Sequence, residues 1–311
     1  MLPNLKGSAL ISALFIMTLI AIAATAMSSR LQLDIYRTRI SISSDKLKLA
    51  SKAVTFWAFS EVAKNKSIFS AKNDYGKIFD FPERFSKIYP GVTISGELYD
   101  LQALFNLNNL KDYKYPKQFI LLLENSMPRS NIAQQRALLD NLVYWISPYK
   151  PGRGHDEYLK YYSSQLPPLI PSFQPMQSIS ELRLVRGFSK KVYKKLQPLV
   201  TALPKTTPIN INTAPKIILS TLGNGLNEID INKIYDARGK SGISDLNDLT
   251  ILIKELNIPN DQVTIESNYY LSIANASTSE LNLKVYTIIS RSKDAKGNMA
   301  VGIVSESINT M

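Results

Sequence analysis

The residues best suited to chemistry in this chain lie side by side at His155, Asp156 and Glu157. His155 is the only histidine among the 311 residues. A serine-histidine-aspartate triad built on it would need a nucleophile elbow, and the sequence has none. It has no phosphate-binding glycine loop and no histidine cluster for zinc, and adjacent carboxylates such as Asp156 and Glu157 are usually solvated surface. The sequence therefore predicts a protein that is not an enzyme.

Composition and charge describe a folded protein with a basic surface. Hydrophobic residues make up 45% and charged residues 20% of the chain, and it contains no cysteine, so disulfides and cysteine-based metal sites are excluded. A net charge of +12 suits contact with nucleic acid or an anionic membrane. The Lys and Arg residues are nevertheless dispersed, with short pairs such as Lys190-Lys191 and Lys194-Lys195, and solvated surface is the preferred interpretation.

The N-terminus carries the strongest signal. A short leader, MLPNLKG, runs into the apolar stretch SALISALFIMTLIAIAATAM, and no charge follows until Arg30. About 20 apolar residues are what a helix needs to cross a bilayer. A secretory signal peptide has a shorter apolar region with its cleavage site on the far side, whereas Gly7 lies on the near side. A cut after Gly7 would leave the membrane helix, starting at Ser8, as the new N-terminus.

This arrangement resembles the type IV prepilin processing site of pilins and of the pseudopilins of type II secretion. The resemblance implies that prepilin peptidase cleaves between Gly7 and Ser8. Most pilins carry a glutamate at the fifth residue of the mature chain, where this sequence has Ser12. A lone carboxylate is costly in hydrocarbon, so an uncharged Ser12 suits a subunit with no neighbour ahead of it, as in K-type minor pseudopilins. An ordinary signal anchor is the alternative.

The helix is predicted to continue past the membrane, because residues 28–65 contain neither Gly nor Pro. A helix over 8–65 would be about 85 Å long at 1.5 Å per residue. Apolar residues recur at helical spacing in two adjacent rows, Leu47–Ala50–Val54–Trp57 and Leu49–Ala53–Phe56. We expect Phe56, Trp57 and Phe59 to be core residues that pack on a sheet.

Strand signals flank a long helical block. Gly91–Phe105 alternates enough for one or two short strands, and Tyr269–Ala274, Leu281–Ser290 and Met299–Ile308 indicate an antiparallel meander. Because the residues between them look mainly helical, we predict one α+β domain interrupted by an inserted α domain.

The insert contains four segments that resemble, in order, landmarks of the type II secretion K-type minor pseudopilins. They are DLQALFNLNNL (100–110), YWISPYKPGRGHDEYLKYY (144–162), SISELRLVRGF (178–188) and ININTAP (209–215). The resemblance implies an α+β fold with a type IV pilin-like long helix on a small antiparallel sheet, interrupted by a large all-α domain that is SAM-like or helix-hairpin-helix-like. The domain bounds that follow are a leader at 1–7, a transmembrane segment at 8–27, the pseudopilin helix and first strands at 28–106, the insert at 107–265 and the last strands at 266–311.

The same landmarks have a local physical interpretation. Ser178 and Glu181 have the spacing of a capping box, which predicts a helix that Gly187 ends. Ser189 is expected to cap a second helix, and Thr213 to cap a third. These residues look structural, since nothing in them demands a ligand.

Only the family resemblance suggests metal binding. K-type pseudopilins can hold calcium in the α domain with acidic loop residues, and Asp156 and Glu157 are the candidates here. Calcium takes six to eight oxygen ligands, but Ser147 stands where the family usually has an aspartate, and Pro148 follows it. We leave the metal unassigned and predict no cofactor.

A rival function arises from residues 210–256, which resemble a helix-hairpin-helix module that binds DNA through hairpin amides. A basic chain suits phosphate binding, and membrane-anchored modules of this kind serve DNA uptake. Against it, the presumed hairpin Leu222–Leu226 is followed by Glu228 and Asp230, where basic residues should meet phosphate.

The preferred prediction is a minor pseudopilin at the tip of the type II secretion pseudopilus, which initiates and caps the filament with I-type and J-type partners. It would be a single-pass inner-membrane protein with a periplasmic C-terminal part. Lys6 before the apolar run favours a cytoplasmic leader, although Arg30, Arg37 and Arg39 follow the run and weaken that signal. Nucleic acid is not a predicted partner.

Overall fold

A computed structural model of the chain describes residues 6–64, 75–152, 154–239, 241–293 and 299–309. The first elements are α1 (Lys6–Lys64), β1 (Lys77–Asp80), β2 (Thr93–Asp100) and β3 (Phe105–Asn106). The middle of the chain forms α2 (Pro116–Ser126), α3 (Ile132–Ile146), α4 (His155–Ser163), α5 (Lys190–Leu196), β4 (Val200–Thr201), β5 (Ile209–Asn210), α6 (Lys216–Leu219), α7 (Glu228–Arg238), α8 (Leu246–Glu255) and β6 (Val263–Thr264). The last elements are β7 (Tyr269–Ser277), β8 (Asn282–Lys293) and β9 (Met299–Ile308).

Helix α1 runs unbroken for 59 residues, as the lack of interior Gly and Pro predicts. Its C-terminal third buries one row of small and apolar side chains at spacings of three and four residues, namely Leu47, Ala50, Val54, Ala58 and Val62. This row packs on one face of the sheet, against residues such as Ile94 and Val285.

The sheet has five strands in the order β1-β2-β7-β8-β9, and every neighbouring pair is antiparallel. The three C-terminal strands form the predicted meander, with Tyr269 opposite Ser290 and Lys293 opposite Met299. Strand β1 was not predicted, because its four residues are too few to show an alternation.

One glycine lets α1 approach the sheet closely. A Cβ added to Gly96 on β2 would clash with Cγ1 of Val54. The helix and sheet can therefore contact at this point only because position 96 has no side chain.

The prediction that Phe56 is a core residue is wrong, whereas Trp57 and Phe59 do pack against the core. Leu49 and Phe56 are 56% and 67% exposed, while Ala53, Trp57 and Phe59 are half-buried. The sheet covers the row that contains Ala50 and Val54, so Leu49 and Phe56 in the adjacent row point away from it. Trp57 still contacts the core, with its ring edge-on to Phe81 at 5.5 Å between centroids.

The helical block lies between two neighbouring strands. The chain leaves the sheet at the end of β2 and returns at the start of β7, where Asp100 pairs with Tyr270. Between them, the helices share one large hydrophobic core with members from Phe105 to Ile265. The predicted fold class, a long N-terminal helix on an antiparallel sheet with further helices, is confirmed. The residue bounds predicted for the insert stay a prediction.

Candidate functional site

From Ala9 onward, the residues of the N-terminal half of α1 are exposed in the described structure. Among the described residues, α1 is the one helix long and apolar enough to cross a membrane, with a window of mean hydropathy 2.4 that is 0% buried. Leu10, Phe15 and Ile20 are all 60% exposed or more. Because apolar surface on this scale is unfavourable in water, this half of the helix requires a lipid or protein environment.

The predicted processing site lies at the very start of this helix. Gly7 and Ser8 are helical, and Ser12 follows one turn later on the exposed helix surface. The leader residues before Lys6 lie outside the described part of the chain. Cleavage between Gly7 and Ser8, and the assembly role of Ser12, stay predictions.

Beyond the membrane-length segment, α1 presents an outward apolar stripe, defined here as Ile35, Ile42, Leu49 and Phe56. Their exposed fractions are 59%, 53%, 56% and 67%. A spacing of seven residues returns to nearly the same side of a helix, so the four side chains form one line along its outer surface. An apolar line at heptad spacing is the pattern by which helices pack on one another.

A second cluster lies where β2 enters the insert, around the fully buried carboxylate of Asp100. Its Oδ2 accepts hydrogen bonds from Asn210 Nδ2 at 2.8 Å, Thr213 Oγ1 at 2.6 Å and Ser267 Oγ at 2.7 Å. Its Oδ1 accepts one from the backbone amide of Gln102 at 2.8 Å. Burial raises the pKa of Asp100, while these hydrogen bonds oppose that shift. The carboxylate thus connects the two chain passages between sheet and insert, and no substrate could reach it.

Buried asparagines extend this cluster into the insert. Asn108 donates to the carbonyls of Met176 at 2.8 Å and Leu203 at 2.9 Å, and accepts from the Met176 amide at 2.9 Å. Asn212 pairs in the same way with both backbone groups of Ile243. A side-chain amide can imitate a strand neighbour because it offers one donor and one acceptor side by side. These residues therefore join loops that have no regular backbone partner.

The capping interpretation of the landmarks is correct at two places and wrong at one. Ser178 and Glu181 form the predicted capping box, but the helix that follows, Ile179–Arg183, is a 3₁₀ helix and ends before Gly187. Ser189 caps α5 by accepting from the Val192 amide. Thr213 does not cap α6, because its hydroxyl donates to Asp100, and Pro215 precedes the helix instead.

The candidate metal loop fits calcium poorly. Asp156 already accepts hydrogen bonds from the Tyr149 hydroxyl at 2.5 Å and the Gly152 amide at 2.8 Å, and the Tyr149 bond is the main cause that lowers the pKa of Asp156. Glu157 is exposed. Within the described ranges, no three His, Asp or Glu side chains come together as a metal-binding group. A single carboxylate that is already hydrogen-bonded falls far short of the six to eight oxygen ligands that calcium takes.

The lone histidine is a buried structural residue. The His155 ring is 6% exposed, stacks on Phe173 at 5.9 Å between centroids, and contacts Tyr144 edge-on. Its Nδ1 accepts a hydrogen bond from the Lys150 amide at 3.3 Å, which holds the preceding loop against the ring.

The presumed DNA-binding hairpin is followed by acidic residues in the first turn of the next helix. Asp230 forms a capping box with Asn227 at the start of α7. The hairpin residue Asn224 accepts a hydrogen bond from Lys117 of the same chain at 2.6 Å. An acidic residue therefore stands at the helix start where phosphate would bind, so the geometry does not favour DNA binding there.

Sequence reasoning missed Asp100 and Arg238 as organising residues. Arg238 is buried and donates from Nε to the Ile211 carbonyl at 2.5 Å and from Nη2 to the Ala214 carbonyl at 2.7 Å. Its burial lowers its pKa to about 10. Asp100 could have been found as the one charged residue of its landmark, whereas Arg238 lies in the polar stretch DARGK outside the landmarks and carries no such signal.

Comparison with known proteins agrees with this architecture. Residues 103–205 match the family model described as type II secretion system (T2SS), protein K. Relatives named type II secretion system protein K are 30% identical in Aeromonas hydrophila, over 67% of this chain and 66% of that protein, and 28% identical in Pseudomonas aeruginosa, over 68% of this chain and 64% of that protein. The alignments thus span slightly less than two thirds of these relatives.

A solved structure has the same fold. A chain in the crystal structure of the GspK-GspI-GspJ complex from the enterotoxigenic Escherichia coli type 2 secretion system matches with a TM-score of 0.69 and 23% identity, covering 88% of this chain and 100% of that one. The long helix, the interrupted sheet, the ordered landmarks and the named relatives agree: the chain is similar to the type II secretion system protein K family.

Proposed function

We propose that this protein is a minor pseudopilin at the tip of a type II secretion pseudopilus. In this proposal it assembles there with I-type and J-type minor pseudopilins, and together they initiate and cap the filament that drives proteins across the outer membrane. The N-terminal half of α1 anchors it in the inner membrane, and the remainder lies in the periplasm. Prepilin peptidase removes the leader after Gly7, so that Ser8 starts the mature chain.

The outward stripe of α1 is the observation that carries this proposal. The stripe exposes four large apolar side chains in a line, while the opposite side of the helix packs on its own sheet. An exposed apolar line of this kind is best covered by another helix. Helices of neighbouring subunits supply one. A relative of similar fold was crystallised in a complex of three named components, which supports assembly with two different partners.

The position of the insert supports capping. Val62, near the C-terminal end of α1, packs beside Leu98 and Tyr270, and the insert joins the sheet at the adjacent residues Asp100 and Tyr270. The insert therefore lies at the end of the sheet farthest along α1 from the membrane segment. Its bulk would occupy the place of a next subunit.

The role assigned to the protein is assembly, and it needs neither catalysis nor a cofactor. Asp156 is engaged within its own loop, and a calcium ion bound there would have to displace those contacts.

The test replaces one stripe residue and one matched residue beside it. In a strain that lacks this gene, Leu49→Asp should abolish exoprotein release and co-purification with the I-type and J-type subunits, because it places a carboxylate in the helix interface. Lys48→Asp introduces the same group about a quarter turn away and should retain both. The proposal would be wrong if Leu49→Asp, confirmed to be membrane-inserted and folded, assembled and secreted like the unmodified protein.

A further inference from the structure

Strand β9 is an edge strand of the sheet formed by the described residues. It is the last strand in the order β1-β2-β7-β8-β9, and its Ile303 and Ile308 are 54% and 44% exposed. The amide of Asn309 donates to the Lys284 carbonyl, and antiparallel pairing alternates direction along a strand. The amide of Glu306 therefore points outward, away from β8. Strand edges are templates for another strand.

A cleft runs beside this edge, between the sheet and the insert. It has a volume of about 640 Å³, with Leu271, Tyr286 and Ile288 as an apolar floor. Ser305 and Ser307 of β9 form one side, and Ser178, Ser180 and Arg183 form the other. Because side chains alternate along a strand, Glu306 lies on the opposite face and contributes no acidic group to the cleft.

A smaller apolar cavity continues from the cleft. It has a volume of about 370 Å³, is lined by Pro175, Met176, Pro204 and Val304, and shares Ile288 and Ser305 with the larger one. The two together offer adjacent places for an apolar and a polar side chain beside one strand edge.

The residues that line the cleft include one cation, Arg183 on the insert side, and no carboxylate. Residues 182–227 contain no Asp or Glu, and six cations fall within Arg183–Lys195. None of the described ion pairs involves any of these six. The nearest carboxylate in sequence, Glu181, already accepts from the Trp145 indole and the Gln177 and Ser178 amides. Within the described part of the chain, Arg183 thus faces the cleft without an ion pair to a carboxylate.

We propose that this cleft binds an extended acidic segment of a partner protein, which adds to β9 as a further strand and places a carboxylate against Arg183. Main-chain hydrogen bonds to an edge provide affinity, and side-chain pockets beside it provide specificity. The surface is separate from the outward stripe of α1. The inference therefore does not depend on how the filament assembles.

Binding is tested with the full chain in detergent micelles and a fluorescent ten-residue peptide of alternating Val and Glu. Fluorescence anisotropy should show saturable binding that weakens with salt, and a peptide of alternating Val and Lys should not bind. Arg183→Glu should weaken binding by about tenfold or more, whereas Arg183→Lys should retain most of it. Equal binding of the Val-Lys peptide, or insensitivity to Arg183→Glu, would overturn the proposal.

Two further variants separate strand addition from simple charge attraction. Glu306→Pro removes an outward amide donor and should reduce binding by about tenfold, whereas Glu306→Ala should not. If the proline variant loses its fold by circular dichroism, Ser305→Trp, which fills the cleft from an exposed position, should block binding instead. Heparin or phosphatidylglycerol vesicles that bind with the affinity of the Val-Glu peptide, unaffected by Ser305→Trp, would identify a general anion-binding surface and refute the assignment.

Discussion

Helix α1 exposes apolar side chains, whereas the junction at Asp100 buries polar ones. Along α1, Ile35 and Phe56 are apolar and more than half exposed. At the junction, Asp100 and Asn210 are polar and 0% and 1% exposed. The first arrangement is unfavourable in an isolated molecule, whereas the second is fully satisfied by hydrogen bonds inside it. Partners are therefore to be sought along α1, and the junction serves the fold.

The strongest test of the α1 side concerns its processing. Gly7→Trp should block cleavage completely, because a bulky residue replaces the small one before the scissile bond. Intact mass spectrometry should then find the leader retained, while Ser8→Ala, with Gly7 intact, is cleaved. A mature unmodified protein that starts anywhere other than Ser8 would disprove the assigned site.

The strongest test of the junction removes its carboxylate. Asp100→Ala leaves three side-chain donors and one backbone donor without their acceptor, and should lower the free energy of unfolding by about 3 kcal/mol. Urea denaturation followed by circular dichroism measures this. Glu97→Gln, on the same strand but in a surface ion pair with Lys77, should cost less than about 1 kcal/mol. Equal effects of the two variants would show that the junction is not a stabilising centre.

The pH dependence of stability provides a smaller test of the same residue. Because burial raises the pKa of Asp100, the folded protein holds this proton to a higher pH than the unfolded chain does. The contribution of this bound proton to the free energy of unfolding is therefore fully present below the unfolded pKa near 4. It is lost as pH rises through the folded pKa. Asp100→Asn should remove that decline. If the stability of Asp100→Asn declined with pH in parallel with that of the unmodified protein, this expectation would be contradicted.

The contrast also explains what the sequence could reveal. The helix, the meander and the helical block were predictable because each has a period or a run of its own, such as the interval without Gly or Pro around Val54. The exposure of Leu49 and Phe56 was not predictable, because the position of the sheet determines how wide a face of α1 becomes buried. Thr213 was assigned to a local cap, yet its hydroxyl donates to Asp100, 113 residues away. Only the folded chain brings these two residues together.

The smallest expected effect concerns Ser12, on the membrane side of the comparison. If the protein has nothing ahead of it in the filament, Ser12→Glu brings no new partner and buries a carboxylate, at about 2–3 kcal/mol on insertion scales. Exoprotein release should be unchanged or reduced, and pseudopili should not lengthen. Both are measured in a strain that lacks this gene, with Ser12→Gln as the uncharged control of similar size. A glutamate variant that secretes better than the glutamine variant, and enters the filament shaft in many copies, would show that the missing charge was the only barrier to elongation. The inserted helical domain would then not be what caps the tip.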